Sequence, residues 1–407
     1  MDHLDSDADA TFRAQARAFL RAHAPAKGGP EDYYAAFKSG HIDQAEYVER
    51  AKAWQRLLAD QGWAGITWPK QYGGRGGTTT QAAIFAAELA GFGVSEGLFA
   101  VGLGMAGPAI IAHGTDEQKR RFLPRILSGE EIWCQLFSEP GAGSDLASVA
   151  TRAVRDGSGG WQVNGQKVWT SGAQHSDLGI LLARTDPGRP KHRGITFFLC
   201  DMDQPGVDIR PIRQINGEAE FNEVFLTDVG VPDERVLGLV DGGWQVAMTT
   251  LSSERLMMGG TRGGIGFDDL LEMARQSGRT EDPVTRQGLA AVYTDSEIIR
   301  FLGMRVQAAA ASGEDAGAAA NVMKLFTAQY LKRLGEVALA VEGASGLLDG
   351  ADAPAGGAWQ KHLLTSPSIR IAGGSDEVQR TIIGERVLGL PPEPRVDKHL
   401  PFSDLPR

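Results

Sequence analysis

The hydrophobic pattern of this chain changes its period twice, and this change constrains the fold more than any other feature. Before about residue 130 and after about residue 242, apolar residues recur at the three- and four-residue spacing of helices. Between them lie short segments that alternate or are continuously apolar, such as GWQVNGQKVW, LGILLART and GITFFLCDM. The pattern predicts a helical domain, a β domain and a second helical domain, and it excludes the strand–helix alternation of a doubly wound sheet.

The predicted domains span residues 1–130, 131–241 and 242–407, with a tail from about 391. The apolar faces predicted for the first domain contain Phe12, Ala16, Phe19, Leu20, Val48, Ala51, Trp54 and Leu58. Ser6 or Asp7 caps the first helix, and Thr115 with Gln118 forms a capping box on a later one. The helices predicted for the last domain span roughly 243–275, 286–311, 316–348 and 376–389.

Charge and cysteine content exclude several classes of function. A net charge of −10 argues against general affinity for nucleic acid. Cys134 and Cys200 form neither a disulfide framework nor a metal-ligand spacing, which is typical of a reducing cytoplasm. The acidic start MDHLDSDADA is unlike a secretory signal, and the longest uncharged run, Gly97 to Ala112, is too short to span a bilayer. We expect a cytoplasmic protein with no membrane span.

Two familiar motifs occur in contexts that do not support them. GLGMAG, from Gly102 to Gly107, fits a dinucleotide-binding pattern, but it lies in an apolar helical stretch with no preceding strand. GVSEG, from Gly93 to Gly97, fits a nucleophile elbow but also lacks a preceding strand. The eight histidines show neither i, i+4 pairing nor a cluster with cysteine, so no metal site is expected.

Two segments of the β domain could bind a phosphate-bearing or aromatic ligand. FSEPGAGSDLAS, around Ser144, is a loop whose backbone N–H groups can face an anion. NGQKVWTSGA ends a strand on Trp169 and Ser171, and its Asn164-Gly165 pair predicts a hairpin turn. Turns are rich in these residues for structural reasons too, so both interpretations are open on these residues alone.

A third segment near the C-terminus, IRIAGGSDEVQR, predicts a glycine loop that leads into a helix N-terminus. Gly373 and Gly374 can adopt conformations that other residues avoid, and free N–H groups at a helix start favour acceptors. On these residues alone, a simple turn and cap is the leading interpretation.

Taken together, the motifs give the chain a clear resemblance. WPKQYGG at 68–74, FSEPGAGSDLAS at 137–148, NGQKVWTS at 164–171, NEVFLTDVGVP at 222–232 and GGSDEVQRTIIGERVLGLP at 373–391 stand in this order. The chain resembles the acyl-CoA dehydrogenase family of flavoenzymes over nearly its whole length. The resemblance implies an α+β fold: an N-terminal helical domain, a central β-barrel or sandwich domain, and a C-terminal four-helix bundle.

The resemblance also implies FAD as cofactor and an acyl-CoA thioester as substrate. The residues it places at FAD within the β domain are Gln135, Phe137, Ser138, Gly143, Ser144, Trp169 and Ser171. Those it places at FAD from the last domain, in part across a subunit contact, are Arg279, Gln287, Gly343, Gly374, Ser375 and Glu377. Ser144 is expected near the acyl-CoA chain or the cofactor phosphates. A homotetramer, built as a dimer of dimers, is the family's usual assembly.

The resemblance raises a question about the catalytic base. Most family members carry a catalytic Glu at the position that Gly373 occupies here. A minority carry it on an earlier helix, and there this chain has Glu254 followed by Arg255. We expect Glu254 to remove the α-proton and the backbone N–H of Gly373 to bind the thioester carbonyl. The alternative is that Glu254 and Arg255 form a solvated pair on a helix face.

Three functions are open at this point. The first is a dehydrogenase that passes electrons to an electron-transfer flavoprotein. The missing Glu at position 373 also favours a non-catalytic subunit that binds acyl-CoA or FAD beside an active partner. The third is an oxygen-using acyl-CoA oxidase.

The open space at Gly373 favours branched or bulky acyl groups. Steroid-CoA thioesters and acyl carrier protein thioesters are also compatible with the motifs.

Overall fold

The computed structural model describes residues 5–38, 41–94, 97–258, 265–312, 317–395 and 397–405. These residues form two compact units. The first contains the chain up to Arg213, Ala219–Glu254 and the C-terminal residues from Pro394. The second contains Gln214–Glu218 and Arg255–Glu393.

The first unit begins with helices. They are α1 (Asp7–His23), α2 (Tyr33–Lys38), α3 (Gln44–Asp60), α4 (Thr79–Leu89), α5 (Gly107–His113) and α6 (Asp116–Ser128). The predicted caps are confirmed, since the Ser6 side chain accepts a hydrogen bond from the backbone of Asp9 and Thr115 and Gln118 form the capping box of α6. The α1 face is buried as predicted at Phe12, Ala16 and Leu20, and the α3 face at Ala51, Trp54 and Leu58. Hydrophobic burial on one side of each helix therefore explains these elements.

The strands of the first unit form one seven-stranded sheet. They are β1 (Trp133–Leu136), β2 (Arg152–Arg155), β3 (Gly160–Ser171), β4 (Leu178–Arg184), β5 (Ile195–Asp201), β6 (Val207–Ile212) and β7 (Phe221–Pro232). The order is β1-β4-β2-β3-β7-β6, and β5 pairs with β4. Every residue of β4 is buried, which explains its continuous apolar sequence.

The hairpin predicted at Asn164-Gly165 is wrong. β3 continues through both residues, and a β-bulge lies between Val163 and Gly165 in its pairing with β7. A Cβ at Gly165 would lie 2.8 Å from the Cα of Thr151, so the strand needs glycine for close approach rather than for a turn. The turn between β2 and β3 instead lies at 156–159, where the Asp156 carboxylate accepts from the backbone N–H groups of Ser158 and Gly160.

Helix α7 (Gly243–Met258) follows the sheet, and its residues through Glu254 belong to the first unit. The second unit contains α8 (Phe267–Gln276), α9 (Pro283–Ser312), α10 (Gly317–Glu342), α11 (Ala358–Ile369) and α12 (Asp376–Ile382). The sequence pattern missed α11, which contains Pro367, a residue that usually ends or kinks a helix. A π-helical stretch, Ile383–Val387, continues α12.

The apolar run Gly97–Ala112 is largely helical, as predicted. It contains a π-helical turn, Gly102–Ala106, and then α5. The dinucleotide-binding pattern GLGMAG therefore lies inside helical structure, which confirms its rejection. Residues 95 and 96 of GVSEG lie outside the described residues. Among the described helices, none combines the length and apolar character needed to cross a bilayer.

The packing of β3 on Thr151 gives a first prediction. Gly165→Ala should destabilise the protein by about 1–3 kcal/mol, the usual range for overpacking, because the new methyl group has no room beside Thr151. Gly230→Ala is the matched control: Gly230 lies on β7, the partner of β3, and a Cβ there meets nothing within 4 Å. Thermal melting of both variants tests this. Equal melting temperatures would contradict the close approach.

Candidate active site

Residues 138–150, between β1 and β2, form a loop with a buried base and an exposed tip; we call it the ligand loop. Glu139 is buried, whereas Gly141, Gly143 and Ser144 are exposed. A Cβ at Gly141 or Gly143 would meet nothing within 4 Å, and neither glycine has a positive φ. Neither the packing nor the backbone of this unit therefore requires glycine there, whereas close approach of a ligand to the backbone would.

A fully buried lysine holds the base of the ligand loop. The Lys167 ammonium, on β3, donates to the Glu139 carboxylate at 2.7 Å, to the Phe137 carbonyl at 3.1 Å and to the Leu182 carbonyl at 2.8 Å. Its three donors thus meet three acceptors. The Glu139 carboxylate also accepts from the backbone N–H groups of Ala150 and Thr151, at 2.7 and 2.9 Å. Both ends of the loop are therefore fastened to one ion pair.

Burial shifts the two partners of this pair differently: it lowers the pKa of Lys167, and the adjacent Glu139 charge offsets part of that effect. Burial alone would raise the pKa of Glu139, but the adjacent Lys167 charge and the hydrogen bonds it accepts hold that pKa below the ordinary value of 4.5. The Glu139 carboxylate is therefore ionised at neutral pH, and it becomes protonated only under acidic conditions.

The end of β3 presents two of the expected flavin residues. Trp169 has a left-handed φ of 61°, and its ring is 59% exposed. The pairing of β3 with β7 is irregular between Lys167 and Thr170, and Ser171 beyond it is exposed. The fully buried Asn222 fixes this end by donating to the Thr170 carbonyl at 3.0 Å. A large aromatic residue in a strained backbone is typical of a functional site rather than of a simple strand end.

The structure brings the two β-domain segments together. The N–H of Val168, which precedes Trp169, donates to the carbonyl of Ser138 at 2.9 Å. Gln135 is half-buried on β1, while the Phe137 ring is buried and packs edge-on against Phe197. The exposed Trp169 indole and the exposed Ser171 hydroxyl thus lie on a strand end that is hydrogen-bonded to the start of the ligand loop. This set of groups suits a cofactor with an aromatic ring and phosphates, so the residues present fit FAD.

In the second unit, the structure brings Arg279 and Gly343 together although they are 64 positions apart in the sequence. Arg279 Nε donates to the Val341 carbonyl at 3.4 Å. Gly343 has a φ of 63°, and a Cβ there would lie 3.3 Å from the Arg279 guanidinium. Gln287 is exposed near the start of α9. Arg279 is itself exposed, so its charge is available to a ligand.

The glycine loop before α12 is built as the sequence predicts. Gly373 and Gly374 have φ values of 65° and 90°, and the Ser375 side chain caps the helix by accepting from Val378 N–H at 3.3 Å. Gln379 donates to the Gly373 carbonyl at 3.1 Å, and Lys324 donates to the Gly374 carbonyl at 2.6 Å. Glu377 is exposed in the first turn.

Glu254 lies in the second-to-last turn of α7 and is half-buried. It is the last residue of the first unit, whereas Gly373 belongs to the second. Arg255 follows in α7, but its side chain lies outside the described part of the chain, as do those of Met257 and Met258. Gly259 and Gly260 are likewise outside it.

Comparison with known families decides the identity of the fold. The model of the acyl-CoA dehydrogenase N-terminal domain matches residues 6–130, that of the middle domain 134–229 and that of the C-terminal domain 241–388. The chain belongs to the acyl-CoA dehydrogenase family. Its members are flavin-dependent oxidoreductases that bind FAD. The predicted family and fold class, with N-terminal helical, middle β and C-terminal helical domains, are confirmed.

Two similar relatives come from Mycobacterium tuberculosis. Acyl-CoA dehydrogenase IpdE1 is 41% identical over 94% of this chain and 98% of its own length. Acyl-CoA dehydrogenase FadE34 is 43% identical over 83% of this chain, but the match spans only 46% of FadE34. The chain therefore corresponds to about half of that longer relative.

Two solved structures are also similar. The steroid acyl-CoA dehydrogenase Tcur3481-Tcur3483 aligns with a TM-score of 0.82 and 30% identity over 97% of this chain and 100% of that one. The ChsE4-ChsE5 complex from Mycobacterium tuberculosis aligns with a TM-score of 0.78 and 28% identity over 95% of this chain and 98% of that one. Each of these two proteins is named for two components.

Sequence reasoning missed the residues that hold the site in place. Lys167, Glu139 and Asn222 are buried polar residues whose partners are distant in sequence. The local sequence carries no signal for this burial, because the residues on either side of Lys167 and Glu139 are half-buried or exposed. A buried charge requires a partner, but the sequence does not say which one.

The ion pair gives a second prediction. Lys167→Met should destabilise the protein by about 3–5 kcal/mol, since it leaves the buried Glu139 without its cation. Combining Lys167→Met with Glu139→Gln should cost less than the sum of the two single changes, because the double variant buries no charge. Denaturant unfolding of the wild type and the three variants provides the comparison.

Acid titration supplies a control for the same pair. Because the pKa of Glu139 is lowered in the folded protein, its contribution to stability is complete above about 4.5 and disappears as the pH falls further. The double variant should lack this component of the acid sensitivity. Strictly additive losses, with unchanged acid sensitivity, would show that the pair is not coupled.

Proposed function

We propose that this chain is the FAD-binding, proton-abstracting subunit of an acyl-CoA dehydrogenase that acts on bulky, steroid-type acyl-CoA thioesters. The observation that carries this proposal is the backbone at Gly373, with a φ of 65°. Glycine adopts this left-handed conformation without steric strain, whereas a residue with an L side chain pays about 1–2 kcal/mol of conformational energy. The position used by most family members is thus built for glycine, and a base must come from elsewhere.

Glu254 is the proposed base. The earlier helix on which a minority of the family carries the base corresponds to α7, and Glu254 lies half-buried near its end. Glu254 takes the α-proton of the thioester, and the N–H of Gly373 donates to the thioester carbonyl as negative charge develops there. FAD bound at this site would supply the acceptor for the hydride from the β-carbon and a route for the electrons to an electron-transfer flavoprotein.

Several residues are proposed to hold the cofactor. The exposed Trp169 ring packs against the flavin, and the exposed Ser171 hydroxyl donates to it. Gly143 and Ser144 of the ligand loop approach the phosphates or the acyl-CoA chain. A donor near the flavin ring stabilises the negative charge of its reduced form. Arg279 binds the far end of the cofactor through its exposed guanidinium.

Two observations favour a bulky acyl group. Gly373 places no side chain at the family's usual base position, so more space is available above the substrate. The similar Tcur3481-Tcur3483 structure is named a steroid enzyme. We therefore propose a fused-ring or steroid-derived thioester rather than a straight chain.

The chain is further proposed to assemble with a second, non-identical chain of the same fold. Both similar solved structures are named for two components. The match covers less than half of FadE34, so the rest of that protein is long enough to contain a second domain of this size. This proposal replaces the homotetramer that the family resemblance implies.

The third prediction tests the base. In Glu254→Gln, the isosteric amide cannot take a proton, so anaerobic flavin reduction by a steroid-type acyl-CoA should slow by about 10²–10⁴-fold. Acyl-CoA binding, measured separately by titration, should change little because shape and hydrogen bonding are kept. Straight-chain acyl-CoAs should bleach the wild-type flavin more slowly than ring-bearing ones.

Near-normal bleaching in Glu254→Gln would show that the base lies elsewhere and that the assignment of Glu254 is wrong. Rapid reoxidation by air with peroxide formation would instead indicate an oxidase. A protein that takes up no FAD, alone or with a partner, would remove the proposal altogether.

The fourth prediction concerns assembly. Purified alone, the chain should retain little FAD, and co-expression with a second acyl-CoA dehydrogenase chain should give a mixed assembly that retains it. Within that assembly, Arg279→Ala should weaken FAD binding by roughly 10- to 100-fold, the effect of losing a charged hydrogen bond. Arg275→Ala, an exposed arginine on α8, is the matched control. Light scattering and FAD stoichiometry are the measurements. A fully loaded homotetramer of this chain alone would contradict the mixed assembly.

A further inference from the structure

The C-terminal tail, described at residues 394–395 and 397–405, packs on the β domain. It belongs to the first unit although it follows the helices of the second. Its backbone is fixed to the connection between β4 and β5: Phe402 N–H donates to the Arg189 carbonyl at 2.8 Å, and Ser403 N–H donates to the Pro187 carbonyl at 3.0 Å. The tail is therefore held in a defined position by backbone hydrogen bonds.

Arg184, at the end of β4, connects this tail to the ligand loop. It is only 3% exposed, and its guanidinium donates to the carbonyls of Ala147 at 2.6 Å and Val149 at 3.2 Å. The Phe402 ring covers the same guanidinium, with its centroid 4.0 Å from Cζ. One face of Arg184 thus meets the tail while its N–H groups hold the end of the ligand loop.

Lys191, in the β4–β5 connection, makes a second link of the same kind. Its ammonium lies 2.8 Å from the Asp145 carboxylate of the ligand loop and 3.6 Å from the Asp397 carboxylate of the tail. Its side chain is 18% exposed, so the charges interact at partial burial. Two cations therefore bridge the tail and the loop at separate points.

We propose that the C-terminal tail is a positioning element for the ligand loop, acting through Arg184 and Lys191. The Phe402 ring keeps water from the guanidinium, whose hydrogen bonds to the loop carbonyls would otherwise compete with solvent. Asp397 helps to hold Lys191 where it bonds Asp145. A loop that is already ordered loses less conformational entropy when a ligand binds. The identity of that ligand, FAD with acyl-CoA, rests on the proposed function, whereas the coupling of tail and loop does not.

The fifth prediction tests the coupling in the full chain without ligand. In Phe402→Ala, hydrogen–deuterium exchange across residues 143–151 should speed up by about 3- to 10-fold, the range of a lost cation–π contact. The amides of Ala150 and Thr151, which donate to Glu139, are the most informative probes. Phe402→Tyr keeps the ring and should behave as the wild type. Lys398→Ala, at an exposed position of the same tail, is the matched control.

A second measurement uses the FAD-loaded protein, with its partner chain where loading requires one. Phe402→Ala should raise the Kd for FAD or the KM for acyl-CoA by a similar factor, while kcat at saturation stays within about twofold, because the tail touches no reacting atom. Phe402→Tyr should restore both. A fall in melting temperature without this split would indicate a merely structural tail.

Unchanged exchange in Phe402→Ala would overturn the proposal, and so would faster exchange with unaltered ligand binding. If Phe402→Ala does not fold, Asp397→Asn removes one charge near the surface and should speed exchange around Asp145 by a smaller factor. If the wild type binds no FAD, the proposed function fails, and the exchange measurement still decides whether the tail orders the loop.

Discussion

The buried ammonium of Lys167 is the interaction on which the ligand-facing side of the β domain depends. It joins β3 to the Leu182 carbonyl of β4 and to both the Phe137 carbonyl and the Glu139 carboxylate at the start of the ligand loop. A charge removed from water needs such complete coordination, because each unmet donor would be costly. The same requirement fixes Trp169, two residues further along β3, relative to the loop that faces it.

Backbone strain at Trp169 follows from this arrangement. Lys167 points inward and Thr170 is again buried, so the irregular pairing between them leaves Trp169 exposed in a left-handed conformation. Such a conformation costs of order 1–3 kcal/mol and persists only where surrounding contacts determine it. Asn222 on one side and the Val168–Ser138 hydrogen bond on the other supply those contacts. The indole is therefore presented by a rigid strand rather than by a mobile loop.

Local patterns predicted the elements whose causes are local. The α1 face, the Ser6 cap and the Thr115 capping box depend on residues within one or two turns, and all three are confirmed. Asn164-Gly165 has the composition of a hairpin, but the close approach of Thr151 decides its conformation, and no local pattern contains that contact. The partners of Lys167 and Arg184 are equally non-local. The sequence therefore indicated which segments form the candidate site, but not what holds them in place.

The loop at Gly373 has a backbone that side chains from other positions hold in place. Gln379 and Lys324 hold the carbonyls of Gly373 and Gly374, and Ser375 caps the helix that follows. Because each peptide unit is planar, fixing these two carbonyls also fixes the orientation of the Gly374 and Ser375 N–H groups. Three side chains thus hold the backbone of this loop, which suits a segment that acts through its backbone groups. Under the proposed function, Glu254 on α7 takes the proton, and the backbone N–H of Gly373 binds the thioester oxygen.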